Sequence, residues 1–98
     1  MKKLDCKLKI FSRHAIQKMF QRNVSKSEID NVISKGQIIE EYPKDSPLPS
    51  FLLLGFNDNR PLHIVIAFNK SDYVCIIVTV YEPDSRLWKD NYSRRIKE

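Results

Sequence analysis

The chain has 98 residues, of which 30% are charged and 42% are hydrophobic, and its formal net charge is +5. This length predicts one domain, residues 1–98, with a single modest core. No apolar run reaches the roughly 20 residues of a membrane-spanning helix, and no signal peptide is recognisable. We therefore expect a cytoplasmic protein.

The charge is unevenly distributed along the chain. Residues 1–26 carry eight basic and one acidic side chain, whereas residues 27–59 carry two basic and six acidic ones. Residues 84–98 are basic again, and we expect the tail at 89–98 to fray. Such a distribution is typical either of ordinary solvated faces or of a surface that binds phosphate backbones.

The first predicted strand, residues 4–10, alternates between apolar and polar positions. Four apolar residues share one face: Leu4, Cys6, Leu8 and Ile10. This period of two is typical of a half-exposed strand whose lysines protect a sheet edge. We expect Cys6 and Cys75 to be reduced, buried thiols, since a cytoplasmic location does not favour a disulfide.

Two helices are predicted next. Ser12 is a good N-cap for a helix over residues 13–22, and Asn23 suits its left-handed end. Its core face is predicted to contain four apolar residues: Ala15, Ile16, Met19 and Phe20. The second helix has a capping box at Ser25 and Glu28, and Gly36 ends it. Its predicted buried stripe is Ile29, Val32 and Ile33.

The second half of the chain has the pattern of a β-meander. A strand over residues 37–42 is followed by a proline-rich loop, and then by apolar runs at 51–56, 61–68 and 73–81. Pro83 ends the last strand, and Asp84 can cap a final turn through Trp88. The predicted fold class is α+β, with two N-terminal helices packed on a twisted antiparallel sheet of four to five strands.

The chemistry that these residue types favour is metal-free cleavage of RNA. That reaction needs a base for the 2′-hydroxyl, an acid for the leaving oxygen and a cation at the phosphate. The candidate catalytic residues are His14, His63, Arg60 and Tyr81. The candidate RNA- and phosphate-binding residues are Lys18, Arg22, Arg13, Arg86 and Trp88. The cysteines and histidines lack the close spacing of a zinc site, so we expect neither metal nor cofactor.

Each candidate also has an ordinary structural interpretation. His63 could be a strand histidine that is hydrogen-bonded to the backbone or to a neighbouring hydroxyl, and His14 could be a solvated helix residue. The register of the last two strands decides which face His63 occupies. An even loop places it beside Val78 and Val80, whereas an odd loop places it beside Thr79 and Tyr81. Residues 69–72 can be assigned to the loop or to the strands in either way, so the sequence permits both registers.

Several segments resemble a known family. The N-terminal part of the pattern consists of Ser12-Arg13-His14-Ala15, Lys18-Met19, Arg22-Asn23-Val24 and Ile38-Ile39-Glu40-Glu41-Tyr42-Pro43. The C-terminal part consists of Arg60-Pro61-Leu62-His63-Ile64-Val65 and Thr79-Val80-Tyr81-Glu82-Pro83-Asp84. Over about residues 12–95, the chain resembles the domain-of-unknown-function family 4258, which belongs to the RelE/ParE-like toxin superfamily.

This resemblance implies a RelE-like fold and a toxin of a type II toxin–antitoxin pair. Members of the superfamily include mRNA endoribonucleases, some of them ribosome-dependent, and gyrase poisons that cleave nothing. The implied partners are RNA and a small antitoxin protein. The expected function is therefore a metal-independent RNA endonuclease. The alternative is a non-catalytic module on the same fold that binds nucleic acid or protein.

Overall fold

The computed structural model describes residues 4–96. Its helices are α1 (Arg13–Arg22) and α2 (Lys26–Lys35). Its strands are β1 (Leu8–Phe11), β2 (Gln37–Tyr42), β3 (Ser50–Asn57), β4 (Arg60–Asn69), β5 (Val74–Tyr81), β6 (Trp88–Lys89) and β7 (Arg94–Arg95). The α+β class is confirmed, and both helices and the meander lie where the sequence predicts them.

The main sheet is mixed, which corrects the prediction of a purely antiparallel one. Its strand order is β1-β5-β4-β3-β2, and β2 to β5 form the antiparallel meander. β1 pairs with β5 in parallel. A parallel pair needs a long crossover, and the two helices together with the meander provide it.

α1 is capped as predicted, but it packs on the sheet through a narrower stripe of apolar side chains than the sequence predicts. The Ser12 side chain accepts a hydrogen bond from the backbone N–H of Ala15, and Asn23 ends the helix at φ 54°. Ala15 is buried, whereas Ile16 is 46% exposed and Phe20 is 85% exposed. The prediction that Ile16 and Phe20 belong to the core is therefore wrong, because α1 meets the sheet along only one side of its apolar stripe.

α2 follows its sequence signals closely. The capping box between Ser25 and Glu28 is present, and Ile29, Val32 and Ile33 are buried. Gly36 ends the helix at an ordinary φ of −76°. A side chain at Gly36 would collide with the carbonyl oxygens of Val32 and Leu54, so glycine is required for close approach of α2 to β3.

The alternation predicted for the first strand is reversed within β1. Leu8 is 55% exposed and Ile10 is 46% exposed, whereas Lys9 and Phe11 are half-buried. The Lys9 ammonium lies 3.1 Å from the Asp30 carboxylate of α2. The strand begins only at Leu8, so Leu4 and Cys6 reach the core from a preceding bend rather than from the same strand face.

The two cysteines form a disulfide, which overturns the expectation of free thiols. Cys6 is joined to Cys75 of β5 across a sequence separation of 69 residues. The bond ties the segment before β1 to the strand beside it. Cys75 is 0% exposed, so the bond reaches the core.

The basic tail also differs from its prediction, since its described part is folded. Asp84 caps a turn, and β6 and β7 then form a small antiparallel hairpin in which Trp88 is 5% exposed. Residues 97 and 98 of the predicted tail lie outside the described residues. Within residues 4–96, no helix is long and apolar enough to cross a membrane.

Candidate active site on the open sheet face

The register of β4 and β5 follows the odd-loop alternative. His63 pairs with Tyr81 across β5 and with Leu54 across β3. Its neighbours Leu62 and Ile64 belong to the core beneath the helices. Because successive strand residues alternate between faces, His63 and Tyr81 lie on the opposite face, which we call the open face.

His63 is held on the open face by three contacts. Its Nε2 lies 2.8 Å from the Tyr92 carbonyl oxygen, and its Nδ1 lies 3.2 Å from the Tyr81 hydroxyl. A carbonyl only accepts, so Nε2 carries the proton, and neutral His63 accepts at Nδ1 from the Tyr81 O–H. The Trp88 ring stands perpendicular to the imidazole at 4.4 Å.

Burial governs the ionisation of this pair. His63 is 0% exposed, and its burial lowers the pKa of the imidazole below the ordinary value. Burial likewise raises the pKa of the Tyr81 phenol. At neutral pH we therefore expect a neutral His63 and a protonated Tyr81 whose hydroxyl is oriented by the imidazole.

A carboxylate, a second phenol and a guanidinium surround this pair. Glu40 pairs with Leu52 and Tyr42 with Ser50, which places both side chains on the open face. The Tyr42 hydroxyl donates to Glu40, and burial together with this hydrogen bond raises the pKa of Tyr42 to about 12. Arg95 lies over the Trp88 ring at 4.6 Å.

These groups form one electrostatic unit, the open-face cluster, which consists of Glu40, Tyr42, His63, Tyr81 and Arg95. Glu40 and Arg95 shift the pKa of Tyr42, His63 and Tyr81 in opposite directions. A concentration of perturbed titratable groups of this kind is typical of functional sites. Chemically, the cluster offers a proton acceptor, a proton donor and a cation.

Arg60, a predicted catalytic residue, lies outside this cluster. Its guanidinium donates to the carbonyl oxygens of Arg22 and Asn23 at the end of α1, and it pairs with the carboxylates of Glu28 and Glu82. Four acceptors occupy the fork, and the carbonyls are those that a helix leaves unpaired at its C-terminus. The contacts of Arg60 therefore hold the α1–α2 connection against the sheet.

The other predicted residues are divided between separate surfaces. Arg13, His14, Lys18 and Arg22 lie on α1, and α1 packs on the sheet face opposite to His63. The structure thus does not bring His14 and His63 together. Arg86 is exposed and paired with Asp84 at 2.8 Å, and Trp88 is buried against His63. Of the nine predicted site residues, all of which the structure describes, only Tyr81, His63 and Trp88 meet on the open face.

Sequence reasoning missed Glu40, Tyr42, Tyr92 and Arg95 as members of this site. Glu40 and Tyr42 are two residues apart on one strand, which is the spacing that puts side chains on the same face. That signal was present, but the β2–β3 register was needed to join it to His63. No local sequence pattern predicts that Tyr92 and Arg95 lie beside His63, because this proximity arises from the packing of the β6–β7 hairpin over the sheet.

A metal centre finds no support in the described residues. Between residues 4 and 96, no three His, Cys, Asp or Glu side chains are grouped as a metal ion requires. The disulfide also occupies both cysteine sulfurs.

The family comparison covers the strands β2 to β5, which form most of the open face. Residues 11–82 match the family described as a domain of unknown function, DUF4258. The chain belongs to the DUF4258 family. The matched segment contains Glu40, Tyr42, His63 and Tyr81, while Tyr92 and Arg95 follow it. Neither the curated proteins nor the solved structures give a significant match.

Proposed function

We propose that this DUF4258 protein is a toxin-like RNA endonuclease on a RelE-like fold, and that it cleaves without a metal ion at the open-face cluster. The observation that carries the proposal is the convergence of Glu40, Tyr81 and Arg95 around one buried imidazole. These three side chains have the base, acid and cation character that phosphodiester transesterification needs. His63 is a positioning residue in this scheme.

The proposed reaction is an attack by the ribose 2′-hydroxyl on the adjacent phosphate. Glu40 accepts the 2′-hydroxyl proton while the 2′-oxygen bonds to phosphorus. The bond from phosphorus to the 5′-oxygen breaks, and Tyr81 donates its proton to that oxygen. Arg95 stabilises the charge that develops on the phosphoryl oxygens. The products are a 2′,3′-cyclic phosphate and a 5′-hydroxyl, and the proton returns from Glu40 to Tyr81 through water.

The raised pKa of Tyr81 fits the role of acid. A phenol that stays protonated at neutral pH can donate a proton, and the hydrogen bond to His63 Nδ1 holds the Tyr81 oxygen in place before the reaction. In the proposed step the O–H rotates from Nδ1 toward the leaving 5′-oxygen and gives its proton to that oxygen. Glu40 is the carboxylate that acts on the pKa of all three aromatic members of the cluster. In this proposal, Glu40 and Arg95 take the catalytic roles for which the sequence suggested His14 and Arg60.

Purified protein incubated with mixed RNA and a chelator tests this proposal. We expect products with 2′,3′-cyclic phosphate ends, and we expect Tyr81→Phe and Glu40→Gln each to lower the rate about 10²–10⁴-fold. Tyr73→Phe is the matched control, since Tyr73 is an exposed tyrosine in the β4–β5 turn. Full activity of Tyr81→Phe and Glu40→Gln, or cleavage that stops with chelator, would contradict the proposal.

The surface of α1 favours a second candidate, a module that binds a protein partner. Phe20 is 85% exposed and Ile16 is 46% exposed, and they border a groove that reaches Val24 between the two helices. α1 carries Arg13, Lys18 and Arg22 but no acidic residue. An exposed apolar patch with basic neighbours suits an acidic amphipathic segment, and a small antitoxin protein is the proposed source of that segment.

The two candidate functions predict different results with RNA and with a Phe20→Ser variant. If the protein only binds, wild-type protein leaves RNA intact and any RNA affinity falls steeply with salt. If it is a toxin with an antitoxin partner, Phe20→Ser weakens inhibition by the product of an adjacent antitoxin-like reading frame while cleavage by the free protein is unchanged.

A further inference from the structure

A groove of about 540 Å³ lies at the edge of the main sheet, outside the open-face cluster. β2 pairs with β3 only as far as Gln37 and Leu54, so no strand among the described residues covers the β3 edge at residues 55–57. The end of α2 forms one wall, and the turn between β6 and β7 forms the other. The volume is in the range of small-ligand sites.

The groove presents polar side chains that have no partner among residues 4–96. Lys35 and Asn31 extend from α2, Gln37 begins β2, and Asn91 lies in the hairpin turn. Within residues 4–96, no hydrogen bond or ion pair occupies the Lys35 ammonium or the three amide groups. Asp90, the carboxylate at the rim, is 3.5 Å from the Arg94 guanidinium. The groove therefore offers one cation and several amide donors and acceptors.

An aromatic ring completes the lining. Phe56 is 38% exposed, and its ring lies 6.4 Å from that of Tyr92 in a tilted arrangement. Tyr92 supports one side of Phe56, which leaves ring surface toward the groove. Exposed aromatic rings beside basic side chains are the usual stacking platforms for single-stranded bases.

The hairpin wall is held in a costly conformation. Asp90, Asn91 and Tyr92 have successive φ angles of 54°, 57° and 70°, and none of them is glycine. Left-handed residues that are not glycine are strained, and they persist where surrounding contacts hold them. Here the Tyr92 carbonyl is bound by His63 Nε2. The same buried imidazole thus supports the groove wall and orients Tyr81.

We infer that this groove binds one unstacked ribonucleotide of the RNA substrate, an inference that rests on the proposed function. The base stacks on Phe56, the amides of Asn31, Gln37 and Asn91 contact its hydrogen-bonding edge, and Lys35 contacts the phosphate. A purely apolar ligand would leave the amides unpaired. Among the groove residues that the structure describes, a polyanion would find only one free cation, Lys35.

The position of the groove gives this nucleotide a defined relation to the reaction. The imidazole of His63 binds the backbone carbonyl of Tyr92, and the ring of Tyr92 contacts the ring of Phe56, so Tyr92 links the groove to the open-face cluster. The bound nucleotide is therefore close in sequence to the cleaved bond. The groove sets a base preference at one position beside the cut, while the cluster performs the cleavage.

The four ribonucleoside 5′-monophosphates are the probes, titrated into wild-type protein and followed by amide chemical shifts. We expect saturable shifts at Lys35, Gln37, Phe56 and Asn91, with different affinities for the four bases. Lys35→Ala should weaken all four by about tenfold, in line with the loss of one charged hydrogen bond. Gln37→Ala should reduce the differences among bases. Lys70→Ala, an exposed lysine of the β4–β5 turn, is the matched control and should change nothing.

Separate outcomes distinguish this inference from the proposed function. Cleavage at unchanged sites by Lys35→Ala and Gln37→Ala would refute the nucleotide groove and leave the endonuclease proposal standing. Saturable binding in the groove without any RNA cleavage would refute the endonuclease and retain the nucleotide site. Absence of saturable shifts, or equal shifts in wild type and Lys35→Ala, would overturn the groove assignment.

Discussion

His63 and Ile64 are consecutive residues of β4, and both are 0% exposed, but they face different surroundings. Ile64 lies in the apolar core between the sheet and the helices. His63 lies on the open face, where its two ring nitrogens and its ring edge are all engaged by polar or aromatic groups. One face of the sheet is closed by hydrocarbon, and the other is partly covered by a small hairpin.

This difference separates the side chains that form the core from those that the proposed function uses. The helix-covered face buries apolar side chains from both helices and from three central strands. The open face carries the groups whose pKa values are shifted by burial, namely Tyr42, His63 and Tyr81. We therefore expect substitutions on the helix-covered face to act mainly on the free energy of unfolding, and substitutions on the open face to act mainly on activity.

The largest expected effect on stability comes from the disulfide, which joins the helix-covered core to the N-terminal segment. Reduction of Cys6–Cys75 opens a loop with a sequence separation of 69 residues. The chain-entropy relation for such a loop predicts a loss of about 4 kcal/mol in the free energy of unfolding. Urea denaturation with and without dithiothreitol measures it.

The Cys6→Ala/Cys75→Ala double variant is the control, because its urea midpoint should not respond to dithiothreitol. A shift below about 1 kcal/mol on reduction of the wild type would show that the bond contributes little to the fold.

A second test compares neighbouring positions on the two faces. Ile64→Ala should lower the free energy of unfolding by about 3 kcal/mol, because a fully buried side chain leaves a cavity beneath the helices. Val65→Ala, one residue further along β4, removes a half-buried side chain from the open face and should cost about 1 kcal/mol. Urea denaturation of both variants gives the comparison, and equal losses would contradict the division between the faces.

The smallest expected effect is a pH dependence of stability that originates at His63. Burial lowers the folded-state pKa of His63 below its unfolded value, so the unfolded chain binds more protons at mildly acidic pH. Stability is then fully present above the unfolded pKa of about 6.5, and it falls with decreasing pH until the folded pKa is reached. The slope has an upper limit of about 1.4 kcal/mol per pH unit.

Urea denaturation of the wild type and of His63→Gln between pH 7.5 and 5.5 measures this effect. His63→Gln should flatten the pH dependence, and a dependence that is the same in this variant as in the wild type would contradict the assignment to His63.

Much of the local structure was predictable from the sequence. The caps at Ser12 and Ser25 and the helix ends at Asn23 and Gly36 define α1 and α2, because these signals act within one turn of backbone. The strands of the meander were predictable from apolar runs separated by polar turns. The site was predictable only in part: Tyr81, His63 and Trp88 meet, whereas His14 and Arg60 lie elsewhere.

The identity and order of the elements therefore follow from local sequence signals, since capping and periodicity depend on neighbouring residues. The remaining features depend on contacts between distant parts of the chain: the parallel pairing of β1 with β5, the disulfide, the exposure of Phe20 and the meeting of Glu40 with His63 and Arg95. Those features depend on strand register and on the hairpin that crosses the open face. A shift of one residue in register would send His63 to the other face, and no local signal encodes that choice.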